Sequence, residues 1–141
     1  MDNHERDRLR QQYYTAWQKY LQDLPMTALE ADIADIIAMH PEYHEIFDNE
    51  ELSQQVEYFP ELGESNPYLH MGLHLALREQ VKTDRPAGIN LIYQDLIEKH
   101  GSIHDAEHAM QEHLAEAMWS AQQNDEIPDE EKYLESLKAL L

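Results

Sequence analysis

There is no cysteine among the 141 residues of this chain. That removes thiolate zinc sites, iron–sulfur clusters, redox thiols and disulfides together, so any metal must be held by histidine and carboxylate. Basic residues are also few, ten against 29 acidic ones, for a formal net charge of −19. A surface of that sign repels phosphate backbones, so nucleic acid is not an expected partner. Arg6, Arg8 and Arg10 are the local exception. Interleaved with Glu5 and Asp7, they read as a solvated helix face. No apolar run approaches the roughly 20 residues of a membrane helix. The polar start Met1-Asp2-Asn3-His4-Glu5-Arg6-Asp7 has no apolar segment behind it, which speaks against a signal peptide. These absences predict a soluble, cytoplasmic protein forming a single domain over residues 1–141, long enough to build a core without cross-links.

Familiar catalytic signatures are missing as well. The chain has no G-x-x-x-x-G-K-[ST], G-x-G-x-x-G or G-x-S-x-G, which sets aside nucleotide-binding and serine-hydrolase readings. The zinc-protease pattern H-E-x-x-H is absent too, because His44-Glu45 runs on into Ile46-Phe47-Asp48.

What remains is helix-forming. Four glycines and an abundance of Ala, Leu, Glu and Gln favour helix throughout. A first helix is expected from about Asp7 to Leu21, with Leu9, Tyr13, Trp17 and Tyr20 near one stripe and Pro25 closing the region. Thr27-x-x-Glu30 forms a capping box for a second helix, whose Leu29, Ile33, Ile36 and Ile37 have core spacing. Pro41 interrupts that helix or opens a short new one. Asn49 to Ser65 has no clear period and reads as a loop with at most a turn of helix. Asn66-Pro67 opens a helix to about Val81, and Arg85-Pro86 opens another that ends at His100 and Gly101. Ser102-x-x-Asp105 caps the longest helix, about Ile103 to Gln123. Pro128 opens the last, with Tyr133, Leu134, Leu137 and Leu140 or Leu141 inward. The expected architecture is all-α, a compact single-domain bundle of roughly six helices.

The strongest chemical signal is histidine spacing. Four pairs lie four residues apart: His40/His44, His70/His74, His100/His104 and His104/His108. Random placement of nine histidines would give about half of one such pair, and a helical turn sets the Cβ atoms of a pair about 5–6 Å apart on one face. Two imidazoles so placed can converge on one divalent transition metal. With His70 at zero, His74 falls near 40°, Leu77 near 340° and Val81 near 20°, at about 100° per residue. Both rings therefore share a face with core residues and need polar partners there. On the helix from Ile103, Glu107 turns toward the apolar side, so His104-x-x-Glu107 can present imidazole and carboxylate together. His40 and His44, with Glu42 alongside, form a third pair disturbed by Pro41. The Gly101-Ser102 break separates His100 from His104. The expected ligands are His70, His74, His104 and His108, with Glu107, His40, Glu42 and His44 completing or supporting the site, for zinc, iron or manganese. Tyr68, Tyr93 and Trp119 are candidates for lining a pocket.

The stretch Asn66-Pro67-Tyr68-Leu69-His70-Met71-Gly72-Leu73-His74-Leu75-Ala76-Leu77-Arg78-Glu79-Gln80 is more distinctive than its composition. With His40-Pro41-Glu42-Tyr43-His44, His104-Asp105-Ala106-Glu107-His108 and Trp119-Ser120-Ala121-Gln122, it resembles the bacterial family called domain of unknown function 1841, over about Arg8 to Leu141. The resemblance implies a small cytosolic protein and supplies no activity, substrate or catalytic residue. A looser likeness is to hemerythrin- and DinB-type bundles, whose ligand spacing is not reproduced here. The functional expectation is a His/Glu metal-binding helical protein, open to metal-dependent catalysis. The alternative is a non-catalytic interaction protein with structural histidines, using the C-terminal helix Tyr133–Leu141 for a homodimer or another protein partner.

Overall fold

The computed structural model describes residues 3–57 and 66–141. The fold is all-α: seven α-helices and one 3-10 segment, with no strand among the described residues. The helices are α1 (Asn3–Leu21), α2 (Ala28–Ala38), α3 (Glu50–Gln55), α4 (Pro67–Thr83), α5 (Ile89–His100), α6 (Ile103–Gln123) and α7 (Glu130–Lys138). The 3-10 segment, Pro41–Phe47, lies between α2 and α3. The chain divides into two compact units, Met1–Gly72 and Leu73–Leu141, and the sequence of α4 runs through that division. None of these helices is long and apolar enough to cross a membrane.

In the first unit, α1 packs on α2 and α3, burying Tyr13, Ala16, Trp17, Ile33, Ile36, Ile37 and Phe47. The capping box opening α2 is present: Thr27 accepts from the Glu30 N–H at 3.1 Å, and Glu30 accepts from the Thr27 N–H at 2.9 Å. Lys19 donates to the same Glu30 carboxylate at 2.8 Å, tying α1 to α2. Two sequence expectations fail here. Leu29 has core spacing but is 45% exposed, because it lies in the first turn of α2, beside the cap. Arg10, expected in solvent, is only 4% exposed. Its guanidinium donates to the Gln54 and Val56 carbonyls at 3.1 and 2.5 Å and lies over the Tyr68 ring at 4.6 Å. The carbonyls at the C-terminal end of α3 lack helical partners, and a cation is well suited to satisfy them. The stretch expected to be mainly loop contains α3, capped by Asn49, whose side chain accepts from the Leu52 N–H at 2.6 Å. Its remainder, 58–65, lies outside the described residues.

In the second unit, Leu77, Val81, Ile89, Ile92, Leu96, Ala106, Met110, Leu114 and Leu137 form the core. At the end of the first unit, Asn66 begins α4 as expected, accepting from the Tyr68 N–H at 2.9 Å. The start of α5 is displaced from Pro86 to Ile89, because the Asp84 carboxylate receives the N–H groups of Gly88 and Asn90 at 3.1 and 3.0 Å. Gly101, at φ 81°, ends α5 in the left-handed conformation that favours glycine. Ser102 caps α6 by accepting from the Asp105 N–H at 3.0 Å. On α7, Tyr133 and Leu137 are buried within this unit, while Leu141 is exposed.

Candidate metal centre

Each unit carries histidines with nitrogens that could serve as metal ligands: His40 and His70 in the first, His74 and His108 in the second. In the first unit, His40 ends the chain segment leaving α2 and is buried. Its Nδ1–H donates to the Ile36 carbonyl at 2.7 Å, which leaves the lone pair of the neutral ring on Nε2. That Nε2 lies 3.1 Å from His70 Nε2, the rings meeting edge to face at 83°. Two nitrogens bound to one tetrahedral or octahedral ion through bonds of 2.0–2.1 Å lie roughly 2.9–3.4 Å apart. The pair is thus spaced for either a shared ion or a single N–H···N hydrogen bond. Tyr43 stacks on His40, with centroids 5.1 Å apart and planes at 9°, and fixes the ring from the side.

The second unit positions His74 more elaborately. Its Nδ1–H donates to Glu107 Oε1 at 2.6 Å, and both side chains are fully buried. Glu107 Oε2 accepts from Tyr93 Oη at 2.5 Å and from Arg78 Nε at 3.1 Å. Burial pushes this carboxyl upward, but the hydrogen bonds from His74 and Tyr93 and the Arg78 charge prevail and hold it below the usual glutamate range. A buried carboxylate behind an imidazole fixes the ring's tautomer and orientation and makes its other nitrogen a better donor to metal. His108 lies beside His74, with ring centroids 5.1 Å apart, and His104 lies 4.0 Å from His108.

The structure therefore assigns the expected residues different places. His70 and His74 lie on one helix, a turn apart, as the spacing required. Glu107 points inward as expected, but both its oxygens are engaged by His74, Tyr93 and Arg78, so it supports an imidazole. His44 does not join His40. Pro41–Phe47 is a 3-10 segment with about 120° between successive residues, so positions four apart diverge instead of stacking. The His44 Nε2–H donates to the Ile37 carbonyl at 2.8 Å, and the ring lies against Trp17 at 4.7 Å. Glu42 is exposed. Tyr68 is buried and donates to the Ser53 carbonyl at 2.6 Å, while Trp119 is exposed.

Sequence reasoning missed Tyr93 and Arg78 as the partners of Glu107. The one available signal was Glu107 itself, a carboxylate on the apolar side of α6, which demands buried donors from its neighbours. No curated protein and no solved structure matches the chain. The family described as Domain of unknown function (DUF1841) matches residues 5–139, and the chain belongs to it.

Proposed function

We propose that this is a cytoplasmic metal-binding protein in which imidazoles of each unit, His40 and His70 in the first and His74 and His108 in the second, serve as ligands to divalent transition metal. The observation that supports this most is the buried His74–Glu107 pair, braced by Tyr93 and Arg78. A carboxylate–histidine arrangement of that kind is how proteins orient an imidazole toward a metal. His70 and His74, a turn apart on α4, can share one ion. A donor set of neutral imidazoles without thiolate suits zinc, iron or manganese. Bound there, the ion would supply Lewis acidity or an activated water, the two routes to catalysis that such a site opens.

A second reading has its own support: His40 and His44 each donate a ring N–H to a backbone carbonyl, as structural histidines do. In that reading the chain is a helical interaction protein, forming a homodimer or binding another protein through its C-terminal helix, and its histidines only complete the core. The −19 charge makes nucleic acid an unsuitable ligand in either case. Substituting His70 and His74 by Ala, singly, separates the two. Loss of bound metal with far-UV helicity retained supports the metal site. Loss of helicity in metal-free buffer, with no metal found on the parent protein, supports structural histidines.

A further inference from the structure

We propose that His104 is the entry ligand of the metal site, a side chain that passes the ion inward and does not keep it. The inference rests on the metal-binding reading above and concerns how the ion reaches its buried ligands. Three imidazoles of the second unit, His74, His108 and His104, form a graded series. His74 is fully buried, His108 is partly buried, and the His104 side chain is 36% exposed. His104 and His108 lie four apart on α6 with centroids 4.0 Å apart, His108 and His74 are separated by 5.1 Å, and His104 and His74 by 6.3 Å. His108 is thus the common neighbour of an outer and an inner ring.

That order matters chemically. An aqueous divalent ion moving straight to a fully buried nitrogen would have to shed its water before gaining a replacement ligand. Held first by His104 and His108, it gains the His74 nitrogen before it releases His104. Each step forms one metal–nitrogen bond and breaks one bond to water or imidazole, and nothing is oxidised or reduced. Asp105 strengthens the outer end. Its carboxylate is 61% exposed and lies 3.6 Å from His104 Nδ1, adding negative charge where a cation would arrive.

The test uses the metal-free full-length chain and Co2+ as the probe, with uptake followed by d–d absorption in a stopped-flow instrument and removal followed after adding EDTA. His104→Ala is expected to slow uptake and removal by the same factor, roughly tenfold, leaving stoichiometry and final spectrum unchanged. Free imidazole in the buffer should restore the lost rate. His104→Gln, which keeps a polar side chain at this half-exposed position, should behave as His104→Ala does. Unchanged rates in both variants would overturn the inference, and so would an altered spectrum or stoichiometry, which would make His104 a resident ligand. A parent protein that takes up no Co2+ would remove the metal reading itself, and this inference with it.

Discussion

Glu107 is the residue on which the buried His74, Tyr93 and Arg78 cluster of the second unit turns. Its two oxygens accept from His74, Tyr93 and Arg78, so replacing it by glutamine removes the buried negative charge that these three donors share and turns one of its acceptors into a donor. Breaking a buried ion pair by removing one partner is among the costlier single changes. Glu107→Gln should therefore lower unfolding stability at neutral pH by about 3 kcal/mol in metal-free protein. The carboxyl is held below the usual glutamate range in the folded state, so its contribution is present above the unfolded pKa and is lost as pH falls through the lower, folded value. Urea melts between pH 7 and pH 3 should show a steeper acid-side loss in the parent protein than in Glu107→Gln. Parallel acid-side slopes would show that Glu107 is not held as a carboxylate. Sequence alone could place Glu107 on the apolar side of α6. It could not choose between a metal ligand and a support for one, because that depends on which donors lie opposite on other helices.

At the scale of elements, α4 brings His70 and His74 together and also contains Gly72 between them. At about 100° per residue, Gly72 stands roughly 200° round from His70, on the far side of the helix. A Cβ built there meets nothing within 4 Å, and glycine inside a helix costs about 0.5–1 kcal/mol relative to alanine. Gly72→Ala should raise stability by about that amount and leave metal uptake unchanged. A destabilised variant would mean that the open face of α4 has a role beyond forming helix. Helix identity was legible from local rules: the Thr27 box, Asn66-Pro67, Gly101 and Ser102 all act as their residue types predict. The exceptions are places where a distant or unusual partner decides. Asp84 moves the start of α5, Pro41 opens a segment that winds as a 3-10 helix and separates His44 from His40, and the α3 carbonyls recruit Arg10.

Across the whole molecule, a formal charge of −19 draws cations toward every surface, so loose binding of metal is expected from charge alone and is not informative. What separates the proposed site from that background is its donor chemistry. Carboxylates on a surface bind divalent ions weakly and still do so at mildly acidic pH. Imidazoles bind through a lone pair for which protons compete, so their metal should leave as pH falls below about 6. The deciding measurement is elemental analysis by inductively coupled plasma mass spectrometry on untagged protein, grown in metal-replete medium and gel-filtered without chelator at pH 8 and at pH 5. The account predicts at least one equivalent of zinc, iron or manganese per chain at pH 8, largely lost at pH 5. Less than about a tenth of an equivalent at pH 8, with none taken up on reconstitution, or a stoichiometry indifferent to pH, would contradict histidine ligation.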